Sequence, residues 1–496
     1  MELPPASGAT ARAASAGAEW LLGVRGARGM AAARAAGARP VGVPGAVRLP
    51  AAKARAAAQR LRRAGLLTWA QSSTTLRRQS SFDGATDRWA RAAVVTPALQ
   101  VPAPGPAIGI VDDRIDPSAP DVGPSTRYVN DGPVGGPHGT ETSSVAAGLA
   151  NGQGVTGVFP GAPLISYGTD LSCPDVARGI EAVRAAGARV INLSLGGPRE
   201  CVPVSIAVQR AFAAGVVVVA STGNEFAAGN PVIYPAASPH VLSVSAVDMQ
   251  LRPTEFSTAN AAVDVAAPGV AVPVAVPRAF DDDGTVDGLS LADGTSFSAP
   301  MVSGAVAWMM ASRPGLDAGQ YGDLIREGAV DLAPQGYDAD TGYGLLSVDR
   351  SLTAPIPASD RREPNDGITF VNGTLFGRTA SAIWTGRSRQ RFTATTDRVE
   401  DPSDVYRIRV PARSAVAIAV RQRAGDADLA LYSSSARTLS SRPIDTSVRT
   451  GTRTETIRYR NRGRRAVTRY VAVAASARGT VLNARYELDV RRARFR

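Results

Sequence analysis

The chain has 496 residues, is 44% hydrophobic and carries a net charge of +12 at pH 7, so it is too long for one ordinary core and two or three domains are expected. No run of about 18 apolar residues occurs, which argues against a transmembrane helix. Met1-Glu-Leu-Pro-Pro5 has neither the basic start nor the apolar stretch of a signal peptide.

The charge changes sign along the chain. Residues 1–95 hold 15 Lys+Arg against 4 Asp+Glu, residues 100–355 hold 12 against 26, and residues 356–496 hold 28 against 13. An acidic middle between two basic flanks points to three units. The basic flanks lack the aromatic-rich surface motif of a nucleic-acid binder, so no nucleic-acid partner is expected.

Residues 1–18 are expected to be disordered. From 19 to 72 the types alternate: Trp20–Arg25 reads as a strand, Met30–Ala38 as a short helix, Pro44–Pro50 as a strand, Ala51–Ala64 as an amphipathic helix and Leu66–Gln71 as a strand. This predicts a small α+β domain, followed by a polar linker over 73–97 that is open to nicking. Over 98–353 apolar strands (Ala107–Val111, Leu164–Tyr167, Val190–Leu195, Val216–Ser221, Val241–Val247) alternate with helices such as Pro174–Ala186 and Val202–Ala214. Continuous Val/Ile/Ala strands spaced by helices predict an α/β fold, a parallel sheet covered on both faces. A Pro/Asp/Arg linker spans 354–366, and short period-2 runs over 367–496, such as Asp404–Val410 and Ala415–Val420, predict an all-β sandwich.

Cys173 and Cys201 are the two cysteines; they are free thiols or one disulfide. Each follows a predicted strand, with one helix between. If those strands are parallel neighbours, their loops leave the same sheet edge, and a Cys173–Cys201 bridge is expected.

Three separated segments carry the chemistry: Ala107-Ile-Gly-Ile-Val-Asp112, His138-Gly-Thr140 and Gly294-Thr-Ser-Phe-Ser-Ala-Pro300. A serine hydroxyl needs a neighbouring base, and the base needs an orienting carboxylate. The chain has two histidines, and His240 enters a strand without glycine neighbours, so His138 is the candidate base. Its place at a helix start is expected to keep the imidazole neutral. Ser296 opens another helix, which offers its backbone N–H to an oxyanion, and Pro300 falls in what reads as the first turn. Asn224, past a buried strand, is the candidate second donor. Asp, His, Ser in that order is a known triad arrangement.

With Val190–Gly197, Ala220–Asn224, Ala267-Pro-Gly269 and Thr341–Leu345 beside them, these segments resemble the subtilisin-like serine proteases, the subtilase family, over roughly residues 98–350. The resemblance implies a serine endopeptidase working through an acyl-enzyme with Asp112, His138, Ser296 and Asn224. It implies a polypeptide substrate paired along Ser194, Leu195 and Gly196, with Ser221, Thr222, Gly223 and Glu225 at the pocket for the residue before the cleaved bond. Glu225 there is expected either to favour a basic residue or, if solvent-exposed, to be neutral in effect. Residues 19–72 resemble the inhibitory pro-segment of a zymogen, a basic intramolecular partner for an acidic catalytic unit. The C-terminal part, with Glu363-Pro-Asn-Asp366, resembles pre-peptidase C-terminal domains of exported bacterial proteases, and its charge suits an anionic cell-surface polymer. A secreted or cell-surface monomer is implied, its signal sequence not evident here. No cofactor is needed for the chemistry; Asp121 and Asn151 fall where relatives hold a structural calcium.

The sequence departs from the family at Asp113-Arg114, where Ser/Thr-Gly is usual, so either Asp112 or Asp113 could orient the base and Arg114 could pair with either. Glu141 stands where a second histidine is usual and is expected to cap the helix start. These departures motivate the alternative, a catalytically decayed binding or adhesion protein on the same fold.

Overall fold

The computed structural model describes residues 19–24, 26–40, 46–72, 89–102, 105–131, 134–152, 154–284, 286–360, 362–397, 399, 401–476 and 483–494. The expected disordered stretch 1–18 and residues 73–88 of the expected linker lie outside them. The chain divides into a unit ending at Ser80 and a unit from Ser81 onward.

The first unit runs β1 (Glu19–Val24), α1 (Gly26–Ala35), β2 (Arg39–Pro40), β3 (Ala46–Pro50), α2 (Ala51–Arg63) and β4 (Leu67–Ser72). Its strands pair antiparallel in the order β2-β3-β1-β4, the β-α-β-β-α-β plan of a ferredoxin-like unit. Along α2, Ala54, Ala57, Ala58 and Leu61 are buried at helical spacing. They pack with Leu22, Val47 and Leu49 of the sheet.

The second unit opens with α3 (Trp89–Val94), β5 (Ile108–Asp112), β6 (Thr126–Tyr128), α4 (His138–Ala147), β7 (Leu164–Gly168), α5 (Cys173–Ala185), β8 (Val190–Leu193) and α6 (Val202–Ala213). It continues with β9 (Val217–Ser221), β10 (Val241–Val247), β11 (Val265–Pro268), the hairpin β12 (Val272–Ala275) and β13 (Leu289–Ala292), α7 (Thr295–Ser312), α8 (Ala318–Gly328) and α9 (Val348–Thr353). Seven strands form a parallel sheet in the order β11-β10-β9-β8-β5-β7-β6. Ile108 and Ile110 of β5 pack with α4 and α7 on one face, while Val111 packs with α5 and α6 on the other. That two-sided burial is why the strands read as unbroken apolar runs.

The chain starts this sheet in the middle, at β5, and builds outward both ways. Asp112 therefore stands at the carboxyl end of the strand where the order reverses, the place where such sheets form a crevice. The same order corrects the neighbour argument for the cysteines, because β5 lies between β7 and β8. The bridge is nonetheless present: Cys173 opens α5, Cys201 immediately precedes α6, and their Cα atoms are 5.9 Å apart. Adjacent helix starts, rather than adjacent strand ends, bring the two sulfurs together.

After α10 (Ile368–Val371) come β14 (Gln390–Asp397), β15 (Ser403–Val410), β16 (Ser414–Ala424), β17 (Ala427–Ser433), β18 (Asp445–Ser447), β19 (Glu455–Asn461), β20 (Val467–Ala475) and β21 (Asn483–Ala493). They make two antiparallel sheets, β14-β21-β16-β19 and β15-β20-β17-β18, around a shared core that includes Trp384, Ile418, Leu431 and Tyr486. Part of the basic charge here is internally compensated: Glu487 is bound by Arg391, Arg421 and Arg423, and Asp489 by Arg389. Among the described residues no helix is long and apolar enough to cross a membrane.

Candidate active site

Asp112 ends β5 and is buried, 3% exposed. His138 Nδ1 lies 2.8 Å from Asp112 Oδ1 and 3.0 Å from Oδ2. Of the two aspartates, Asp112 therefore holds the ring. Asp113 turns instead to the segment just before α4, where a Cβ on Gly136 would stand 2.3 Å from its Oδ2. The glycine after His138 has a steric reason: a Cβ on Gly139 would stand 1.8 Å from the Asp113 carbonyl oxygen. Any side chain there would push α4, and the imidazole with it, away from β5.

Arg114 pairs with neither aspartate. Its guanidinium lies 4.5 Å from the centre of the Tyr128 ring, and its Nε is buried without a hydrogen-bond partner. Nor does Glu141 cap the helix. The residue before α4 is Pro137, which offers no side-chain cap, and the Glu141 backbone N–H donates to the Pro137 carbonyl at 3.0 Å. The Glu141 charge acts on His138 instead. Burial pulls the pKa of His138 down, but the charge and hydrogen bond of Asp112, then Glu141 and Asp113, outweigh it and raise it to about 9. The resting imidazole therefore favours the protonated form at neutral pH, not the neutral form expected from the helix start alone.

Ser296 is the second residue of α7. Gly294, before the helix, has φ +144°, a backbone conformation that favours glycine. Pro300 is the sixth residue of α7 and lies inside the helix, not in its first turn. Having no N–H, it leaves the carbonyl four residues back, that of Ser296, without its helical donor. The Ser194 hydroxyl supplies the replacement at 2.7 Å. Ser194 is held in turn by Asn192 Nδ2 at 2.9 Å, and Asn192 Oδ1 accepts from Ser303 at 3.0 Å. The Ser296 hydroxyl contacts the Ser194 carbonyl at 3.4 Å and is not hydrogen-bonded to His138. The His138 ring stands edge-on to Phe297, the next residue, with 5.8 Å between centroids.

Asn224 follows β9 and is exposed. Its Oδ1 accepts from both the backbone N–H and the hydroxyl of Thr295, each at 3.0 Å. This orients the amide and leaves Nδ2 as the open donor. The Ser296 N–H takes no backbone partner among the described residues, as befits the second residue of a helix. Thr295 also receives the Gly223 N–H at 3.2 Å. Sequence reasoning gave Thr295 and Ser303 no role; Thr295 stood inside the Gly-Thr-Ser motif, next to the residue that drew attention.

Ser194, Leu195 and Gly196 run past the end of β8. Gly197 exchanges two 2.9 Å backbone hydrogen bonds with Tyr234, whereas Leu195 and Gly196 make none among the described residues. They form an open backbone edge beside a cavity of about 450 Å³ that His138, Tyr234, Cys173 and Cys201 help to line. Ser221 ends β9 and Thr222 is buried with its hydroxyl unpartnered. Glu225 is exposed, its backbone N–H bonded to Thr258 Oγ1 at 3.1 Å.

Asp121 and Asn151 do come together, with Asn151 Nδ2 3.4 Å from Asp121 Oδ1, while the Val155 N–H donates to Oδ2 at 3.1 Å. Both oxygens of the one carboxylate thus face N–H donors. Among the described residues no group of three His, Cys, Asp or Glu side chains with metal-ligand spacing includes Asp121. Asp121 and Asn151 bring one carboxylate and one amide, so backbone carbonyls would have to supply the rest of the six to eight oxygens calcium takes.

Residues 103–344 match the model of the subtilase family. Subtilisin DY of Bacillus licheniformis is 35% identical over 222 residues, covering 43% of this chain and 77% of its own. A probable subtilase-type serine protease of Deinococcus radiodurans is 33% identical over 293 residues, and the match spans only 40% of its length. The crystal structure of fervidolysin from Fervidobacterium pennivorans superposes with a TM-score of 0.51 at 18% identity, covering 88% of this chain and 84% of that one. The chain belongs to the subtilase family.

Proposed function

We propose that this chain is a serine endopeptidase that hydrolyses peptide bonds through an acyl-enzyme on Ser296. The observation that carries the reading is the His138–Asp112 pair, 2.8 Å apart, in the crevice where Ser296 and the anchored amide of Asn224 also stand. With Nδ1 donating to Asp112, Nε2 of the neutral ring is the acceptor. On substrate binding the Ser296 hydroxyl turns from the Ser194 carbonyl to Nε2. As Oγ bonds to the substrate carbonyl carbon its proton passes to Nε2, and Asn224 Nδ2 with the Ser296 N–H receives the oxyanion. The imidazolium, steadied by Asp112, gives that proton to the leaving amine. Water then attacks the acyl group by the same route and restores Ser296. The substrate backbone adds a strand to the open edge at 194–196, with Ser221, Thr222, Gly223 and Glu225 around the side chain before the cleaved bond. No step passes through calcium.

The basic unit at 19–72 acts as an intramolecular inhibitor removed in a secreted mature form; its charge, opposite to that of residues 100–355 with their 12 Lys+Arg against 26 Asp+Glu, and its place before them in the chain support this. A fluorophosphonate probe tests both ideas. Labelling is expected on a chain whose first residue, by N-terminal sequencing, lies beyond 72, and none on Ser296→Ala. No labelling of processed wild type would identify a decayed binding scaffold, and an active enzyme that retains Met1 would refute the zymogen.

A further inference from the structure

One residue meets the nucleophile from two directions. The Ser194 hydroxyl donates to the Ser296 carbonyl at 2.7 Å, and the Ser296 hydroxyl contacts the Ser194 carbonyl at 3.4 Å. The first contact has room to form because Pro300, without an N–H, cannot serve that carbonyl as a helix residue would. Behind Ser194 the hydrogen bonds run one way only. Asn192 donates through Nδ2 to Ser194 Oγ at 2.9 Å, and its Oδ1 accepts from the Ser303 hydroxyl at 3.0 Å. Since Nδ2 is a donor only, Ser194 Oγ accepts there and turns its own proton to Ser296.

Asn192 and Ser303 are fully buried and Ser194 nearly so, at 4% exposure. Their neighbours in sequence are apolar: Ile191 and Leu193 flank Asn192 on β8, and Val302 precedes Ser303 on α7. Alanine or valine would fill such places with no polar group to satisfy. What the polar line achieves lies at its end, on the Ser296 carbonyl. A donor from residue 300 would belong to α7 and move with it. The Ser194 hydroxyl belongs instead to the end of β8, one residue before the open backbone of Leu195 and Gly196. The nucleophile is thus tied to the edge at 194–196 and not only to its own helix.

We propose that Ser194 is a positioning residue, backed by Asn192 and Ser303, that steadies Ser296 for attack when a substrate strand occupies the 194–196 edge. This rests on the endopeptidase reading above and adds to it a route by which remote substrate contacts raise turnover. Holding the Ser296 carbonyl fixes the peptide plane beyond its Cα, and so steadies the atom from which the hydroxyl projects. A strand paired along Leu195 and Gly196 stills that segment, and Ser194 then holds Ser296 more firmly. Binding energy gathered away from the cleaved bond appears in kcat rather than in KM. On its other side α7 lies hard against the helix that carries His138, since a Cβ on Gly304 would stand 2.7 Å from the Ala146 carbonyl of α4. The relay and this helix contact hold Ser296 and His138 in one frame.

The test measures kcat and KM on two peptides, one long enough before the cleaved bond to fill the edge and one with a single residue there. Ser194→Ala keeps the backbone edge and removes only the hydroxyl. Expected on the long peptide is a fall in kcat of about tenfold at nearly unchanged KM, since one hydrogen bond to the nucleophile is lost. On the short peptide the fall is smaller, so the ratio of the two kcat values shrinks. Ser194→Thr, which keeps a hydroxyl, restores that ratio. Pro300→Ala offers a helical N–H to the same carbonyl, so Ser194→Ala is expected to lower kcat less in that background than in wild type. Equal losses on both peptides, a raised KM with kcat kept, or additive losses in the double variant would overturn the relay and leave the peptidase standing. A processed wild type that cleaves neither peptide would overturn both. If Ser194→Ala does not fold, Ser303→Ala, two hydrogen bonds further back, decides by the same ratio.

Discussion

Both histidines of this chain are bonded to an aspartate, His138 to Asp112 at 2.8 Å and His240 to Asp366 at 3.0 Å. The His138 side chain is 32% exposed and opens on a cavity, whereas that of His240 is 6% exposed and stacked on Phe212. Around His138 stand a hydroxyl at a helix start and an amide fixed by Thr295. Around His240 stand further carboxylates and the Phe212 ring. An imidazole held by an acid is therefore not in itself a catalytic device. In the proposed reading, what distinguishes the first pair is the nearby Ser296 as nucleophile, with the Asn224 amide and the Ser296 N–H as donors to the oxyanion.

The sharpest way to break this comparison is to replace each ring in turn. His138→Asn is expected to lower kcat/KM by about 10⁶-fold. His240→Asn is expected to act on folding instead, since it strips buried Asp366 of its donor, a loss of about 1–3 kcal/mol. Steady-state kinetics and calorimetric melting separate the two, and equal losses of turnover would erase the distinction. Next in size is Asn224→Ala, expected to lower kcat by about 10²–10³-fold with little change in KM. If KM rose instead while kcat held, Asn224 would be a substrate contact rather than an oxyanion donor.

Local pattern made much of the molecule readable. The Val/Ile strands of the parallel sheet and the period-2 strands of the sandwich lie close to where the sequence put them, because burial on two faces or on one leaves a direct trace in residue order. Strand order leaves no such trace, so β5 standing between β7 and β8 was hidden, and the disulfide was expected for the wrong geometric reason. Pro300 was misplaced because a helix start is set by Gly294 and by tertiary bonds to Thr295, which lie 71 residues from their partner Asn224. The second histidine shows the same limit. Glu363 and Asp366 were noticed as a domain marker, but His240 reaches them only through folding, so the tie between them was not legible.

The smallest effect tests whether the charges around His138 tune the base as well as holding it. In the mechanism proposed above neutral His138 is the active form, so kcat/KM should fall as pH drops through its pKa in the free enzyme. Burial lowers that pKa, but Asp112, Glu141 and Asp113 carry it to about 9, which places the acid limb above the ordinary histidine value. Glu141→Gln removes one of the raising charges. The limb should move to lower pH, and kcat/KM at pH 7 should rise, by less than the roughly tenfold that one whole pKa unit brings. His240→Asn should leave the limb where it is, because none of the groups that shift His138 is among those that hold His240. A pH–rate profile of the three proteins decides the matter. A limb that ignores Glu141 but follows His240 would mean that the second pair, and not the carboxylates of the cleft, sets the protonation state on which turnover depends.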